Sequence, residues 1–275
     1  MPATVTSDGL RRQTVLLLTA SHLGPTVAVT GLSALLCLAV ELDPWRSVLL
    51  VIAVLAGQLS IGWGNDLVDL RRDQRSGRTD KPLATGELDL RTVQIAVVIA
   101  LGMAVLLPWS LGAAAAALLL VVLGGQAYNL GLKRTAWSWL PYAVAFGSLA
   151  AAPGLAAGAN VAWWVPTVGA LLGVGAHLVN VIPDLDDDAR TGVSGLPHRL
   201  ADRFGASGVS IIAVALFVTA SAVLLAALPF GPLVWIAGLL VVALATLALR
   251  THGRRPFHTA IAIALVDVVA LVIAV

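Results

Sequence analysis

Long apolar runs recur from about residue 15 to the end of the chain, separated only by short polar breaks, and they decide what this chain can fold into. About 20 consecutive apolar residues cross the hydrocarbon of a bilayer as a helix, and in lipid every backbone N–H and C=O has to be satisfied within the protein. Of the 275 residues 59% are hydrophobic and 12% charged, with a mean hydropathy of +0.92. Ordinary soluble domains carry about 25% charged residues, so this surface is suited to lipid. The sequence predicts an all-α polytopic membrane bundle, read as a single domain over residues 1–275. Its helices fall near 14–40, 46–64, 92–109, 111–128, 137–157, 163–182, 208–228, 230–248 and 256–275, about nine crossings. Pro108 to Gly112 and Pro229 to Pro232 mark tight turns between neighbouring helices. The apolar run behind Arg11 and Arg12 is too long for the h-region of a signal peptide and reads as a retained first helix. Cys37 has no partner, which excludes an intrachain disulfide.

The charges sort by loop. Arg11 and Arg12 precede the first helix; Arg71, Arg72, Arg75, Arg78, Lys81 and Arg91 lie between the second and third; Lys133 and Arg134 follow the fourth. Arg190, Arg199 and Arg203 follow the sixth, and Arg250, Arg254 and Arg255 the eighth. Sixteen of the seventeen basic residues therefore face one side, with Arg46 alone opposite. By the positive-inside rule that side is cytoplasmic, as expected for a protein of a bacterial plasma membrane. The formal charge of +2 follows topology and gives no reason to expect nucleic acid as a partner. The acidic residues keep to the same loops. Two aspartate-rich clusters, separated by four crossings, must return to one face.

The first cluster reads Asn65-Asp66-Leu67-Val68-Asp69-Leu70-Arg71-Arg72-Asp73. Steps of three and four put Asp66, Asp69 and Asp73 on one face if the second helix continues through them. Like charges at this spacing oppose a helix, and carboxylates at the hydrocarbon edge are costly. A bound divalent cation relieves both. Mg²⁺ takes one or two carboxylates, keeps waters and accepts phosphate oxygens, and Asn65 can add a carbonyl oxygen. The competing explanation is a solvated, charge-mixed loop, which carries more weight for Asp73, Asp80 and Asp89 than for Asp66 and Asp69. The second cluster, Pro183-Asp184-Leu185-Asp186-Asp187-Asp188, sets Asp184, Asp187 and Asp188 on one helical face. It also has a plainer reading, as an acidic loop balancing Arg190, Arg199 and Arg203.

The first stretch resembles the N-D-x-x-D-x-x-x-D signature of the UbiA-type membrane prenyltransferases. Lys81-Pro82-Leu83-Ala84-Thr85-Gly86 is similar to the R-P-L-x-x-G run that follows it there, with lysine for arginine. Asp184 to Asp188 with Gly192 resembles the family's second motif, D-x-x-x-D-x-x-x-G, where many members carry threonine at the place of Gly195. Tyr128 to Arg134 resembles its Y-x-x-x-x-K-R stretch.

The resemblance implies Mg²⁺ held by Asn65, Asp66, Asp69 and Asp73 on one side and Asp184, Asp187 and Asp188 on the other. Asp66, Asp69, Asp184 and Asp188 carry the catalytic role, and Arg72, Lys81, Lys133 and Arg134 bind the diphosphate. The implied reaction moves a prenyl group from a prenyl diphosphate to a small-molecule or lipid acceptor, weakly preferred aromatic. A terpene cyclase of the same family, needing no acceptor, is the alternative. A cation-coupled transporter is a remote one, since its carboxylates would line the membrane midplane rather than one surface. The segment Leu196 to Phe204 reads as a surface helix, either a lid or a connector. His22, His177, Asn180 and Asp267 are polar residues in apolar spans whose roles the sequence leaves open.

Overall fold

The computed structural model describes residues 7–185, 188, 192–251 and 255–274, all in helices, 3₁₀ turns and their connections. In chain order the helices are α1 (Ser7–Ala20), α2 (Leu23–Ala39), α3 (Pro44–Arg75), the single turn α4 (Pro82–Thr85), α5 (Leu90–Leu106) and α6 (Ala113–Leu130). They continue as α7 (Leu140–Ala156), α8 (Trp164–Val181), α9 (Leu196–Ala227), α10 (Pro232–Arg250) and α11 (Arg255–Ala274). Side chains such as Leu106, Leu239 and Val98 are about 70% exposed, an outer surface that only lipid satisfies.

Among the described residues six helices are long and apolar enough to cross a membrane, or seven if α1 and α2, bent by 75°, form one span. The sequence count of about nine is slightly higher. Leu140–Ala156 and the apolar part of α11, Ile261–Ile273, are shorter helices. At 1.5 Å per residue a 17-residue helix such as α7 reaches about 25 Å, less than the roughly 30 Å of hydrocarbon.

Helix α3 starts on an Asp43 cap, whose carboxylate accepts from Trp45 N and Arg46 N, with Pro44 in the first turn where its missing N–H costs nothing. Arg46, the one basic residue expected at the opposite end, donates to the carbonyl of Ala156 at the end of α7, 2.8 Å away. It thereby satisfies a helix C-terminus.

Small residues let α6, α7, α8 and α9 approach closely. A Cβ on Gly124 would stand 2.9 Å from the Pro141 carbonyl, and one on Gly175 2.3 Å from the Phe217 ring. At Gly169 a Cβ would stand 2.5 Å from the Phe146 carbonyl oxygen and 2.7 Å from the Ala150 Cβ. Neither can swing aside. Gly169→Ala is therefore expected to lower stability by about 1–3 kcal/mol, the usual overpacking cost, seen as a lower melting temperature in detergent.

Candidate active site at one end of the bundle

Helix α3 does not stop where the apolar run ends but continues through the first cluster to Arg75. The steps of three and four then act as expected. Asp66, Asp69 and Asp73 face inward with relative exposures of 3, 1 and 2%, which a solvated loop would not give. Asp80 and Asp89 behave differently. Asp80 is an exposed partner of Arg78, whose hydrogen bond holds that carboxyl down at about 2, and Asp89 caps α5 by accepting from Thr92 N.

Three cations answer the three carboxylates. Beyond α3 the chain reverses through Gly77 (φ 65°) and brings back Lys81, whose Nζ lies 2.9 Å from Asp66 Oδ1 and 2.8 Å from Asp73 Oδ2. The local sequence explains how it is held. Pro82 opens the α4 turn, Gly86 closes it at φ 79°, and Leu83 and Leu88 sink into a cluster with Trp63. Lys133, in the 3₁₀ turn after α6, donates to Asn65 Oδ1 at 3.1 Å and to Asp69 Oδ2. Arg72 Nη2 reaches Asp69 Oδ2 at 2.9 Å and Asp73 Oδ1 at 3.4 Å.

The two lysines are not equivalent. Burial works against the charge of Lys81, but Asp66 and Asp73 outweigh it and hold the ammonium above its ordinary value. For Lys133 burial again acts first. Asp69 pulls upward, Arg72 and Lys81 push down, and the ammonium ends below its ordinary value. Arg134 is exposed; the contact it gives the second loop is through its backbone carbonyl, which accepts from Ser194 Oγ.

The second cluster borders the same space. Helix α8 tightens into a 3₁₀ turn at Ile182–Asp184, leaving Asp184 exposed, while Asp188 is half-buried with Oδ2 3.4 Å from His198 Nε2. Arg78 feels both Asp73 and Asp184, and Tyr128 feels both Asp69 and Asp188. Asp187, expected as a ligand, lies outside the described residues. Among the described residues no three His, Cys, Asp or Glu side chains are grouped so as to hold a metal. A cation bound here would complete its shell from water or substrate, which is the habit of Mg²⁺. Asp69 Oδ1 meets that requirement, being buried without a hydrogen-bond partner among the described residues.

The departure at Gly195 has a steric cause. A Cβ there would stand 2.7 Å from the Lys133 carbonyl and 2.8 Å from Ser138 Oγ, while Leu196 N donates to Ser138 Oγ at 2.8 Å. Glycine lets the end of the second loop lie directly on the turn that carries Lys133. The segment after it, expected as a surface helix, is set off from the rest of α9 by Gly205 (φ 70°). Pro197 and His198 are buried and Phe204 is exposed.

Sequence reasoning left three neighbours of this site without a role in it. His22, at the break between α1 and α2, places Nε2 3.7 Å from Asp66 Oδ1; its only signal was a polar residue in an apolar run. Ser138, read at the start of the helix near 137–157, and His198, read in the surface segment, gave no signal of a role here. Trp63 donates to the Leu17 carbonyl at 2.9 Å and anchors α1.

Several solved structures share this architecture. A UbiA homolog from Aeropyrum pernix K1 is 17% identical with a TM-score of 0.71, over 91% of this chain and 98% of that one. A UbiA homolog from Archaeoglobus fulgidus, bound to GPP and Mg²⁺, is 16% identical with a TM-score of 0.67, over 94% and 99%. A structure described for digeranylgeranylglyceryl phosphate synthase in membranes is 18% identical with a TM-score of 0.64, over 95% and 98%. At these identities the likeness speaks for the fold. No curated protein matches the sequence significantly. The sequence profile of the UbiA prenyltransferase family, however, matches residues 23–266, from the start of α2 into α11 and across both aspartate motifs. With nearly the whole bundle covered, this integral membrane protein belongs to the UbiA prenyltransferase family.

Proposed function

We propose that the protein transfers a prenyl group from a prenyl diphosphate to an acceptor in a Mg²⁺-dependent reaction, at the end of the bundle where the two aspartate motifs meet. The observation that carries this reading is the inward face of α3: three buried carboxylates matched by Arg72, Lys81 and Lys133, with Asp69 Oδ1 lacking a hydrogen-bond partner among the described residues. The GPP and Mg²⁺ bound by the Archaeoglobus homolog support it.

Asn65, Asp66, Asp69 and Asp73 would hold the metal from one side and Asp184 and Asp188 from the other, with Asp187 joining them. Bound Mg²⁺ supplies positive charge that stabilises the departing diphosphate. The chain's own residues do the rest. Lys81, Lys133 and Arg72 neutralise the carboxylates in the resting site and turn to the phosphate oxygens when substrate arrives, as preorganised donors for charge that grows on the leaving group. Arg134 stands by as an exposed fourth donor. The apolar interior takes the prenyl tail and keeps water from the allylic cation. The concentration of basic residues in the motif-bearing loops supports a cytoplasmic site in a bacterial plasma membrane, and the continuous bundle supports a single domain.

The test supplies membranes containing the protein with prenyl diphosphates of several lengths and a panel of acceptors: a hydroxybenzoate, a naphthoquinol and a glycerol-phosphate lipid. Pyrophosphate release is expected with Mg²⁺ and should vanish in EDTA, with prenylated acceptor as product. Release that persists in EDTA would overturn the metal assignment. A cyclised or hydrolysed prenyl product with every acceptor present would favour the cyclase.

A further inference from the structure

His198 lies in the first turn of α9, 7% exposed, and the transfer set out above gives it no task. Neither ring nitrogen has a hydrogen-bond partner among the described residues. An imidazole kept from water in this state is costly to the fold, and such a cost asks for a reason. Nε2 faces Asp188 Oδ2 at 3.4 Å, slightly beyond the roughly 2.7–3.2 Å of a closed hydrogen bond.

The surrounding chain holds both groups in place. Gly195 rests on the turn that carries Lys133, Leu196 N donates to Ser138 Oγ, and Arg199 N donates to the Gly195 carbonyl at 3.2 Å. The turn bearing the imidazole is therefore fixed to the first motif's side of the site. On the other side the Asp188 carbonyl accepts from Val193 N at 3.0 Å, and Val193 is buried. The two arginines that follow are engaged elsewhere. Arg199 Nε donates to the Ser194 carbonyl at 3.3 Å and Arg203 lies over the Phe204 ring at 5.3 Å, both at exposed positions.

We propose that His198 is a positioning residue for the metal site: its Nε2–H donates to Asp188 Oδ2 and leaves Oδ1 turned to the cation. The proposal rests on the metal assignment above. A carboxylate that binds a metal is ionised and can only accept, so the hydrogen between the two groups lies on Nε2 whether the ring is neutral or charged. Carboxylate ligands are themselves held by such outer hydrogen bonds, and in a site without its ligands these contacts stand long and close when the ligands arrive. Lys81, Lys133 and Arg72 already hold the carboxylates of the first motif. His198 does the same for the second.

The test compares His198→Leu, which fills the space without a donor, with His198→Gln, whose amide N–H stands near the place of Nε2. Two readouts are taken for each: the rise of melting temperature on titration with Mg²⁺ alone, and the Mg²⁺ dependence of pyrophosphate release from geranyl diphosphate. The metal-free melting temperature reports folding separately. Leu is expected to raise the half-saturating Mg²⁺ about tenfold in both, the usual weight of an outer partner. Turnover should return at high Mg²⁺, and Gln should restore the affinity. In an Asp188→Asn background the Leu substitution should add nothing. The idea is overturned if Leu and Gln shift Mg²⁺ binding equally, if neither shifts it, if high Mg²⁺ leaves the turnover of Leu low, or if the tenfold loss persists in Asp188→Asn. Absence of Mg²⁺-dependent release in the wild type would instead sink the transferase reading, and this proposal with it.

Discussion

Asp66→Ala and Asp184→Ala should each reduce Mg²⁺-dependent pyrophosphate release by at least about a hundredfold, the scale on which single groups aimed at transition-state charge act. The two variants reach this result from opposite conditions. Asp66 is buried, 2.9 Å from Lys81, and its loss leaves Lys81 with Asp73 alone. Asp184 is exposed, so its removal should cost the fold less than that of Asp66. An Asp184→Ala protein with an unchanged melting temperature and no turnover isolates the chemistry from stability. Full turnover in either variant removes that carboxylate from the metal set.

Lys81→Met is expected to be among the most destabilising single changes, at about 3–5 kcal/mol, because it strands buried carboxylates. Asp73 keeps Arg72 at 3.4 Å, but Asp66 is left with His22 at 3.7 Å. If Mg²⁺ occupies the same face, adding it should restore much of the lost melting temperature of this variant and do less for the wild type, whose lysine already supplies charge there. Equal Mg²⁺ shifts in both proteins would separate the metal position from the Lys81 position.

Much of this was legible in the sequence, because spacing and apolarity act locally. The steps of three and four in the first cluster predicted the shared face of Asp66, Asp69 and Asp73, and the structure buries all three. Lys133 and Arg134 are neighbours and could not be told apart by position. Only the turn after α6 decides that Lys133 faces the carboxylates while Arg134 stays outside. The break at Ser21–His22 was invisible for another reason. The run from Val15 to Val40 reads as one helix by its overall apolarity, which outweighs Ser21, His22, Gly24 and Pro25 inside it; the left-handed φ of 53° at His22 stands beside a close contact, since a Cβ on Gly62 of α3 would lie 2.9 Å from the Ser21 carbonyl. The Ser138–His177 contact joins the turn before α7 to α8, which no local pattern relates.

The broken first span also dictates an order of assembly. The contacts that hold α1 are with residues made after it: Trp63 donates to the Leu17 carbonyl, Arg12 pairs with Glu87, and Gln13 bonds the backbone of Glu87 and Asp89. While the ribosome is still producing α2, α1 has nothing to dock against. Although made before them, α1 therefore settles only after α3 and the loop behind it have been inserted. A ribosome stalled before Asp89 should leave α1 open to protease, and one stalled well beyond it should not.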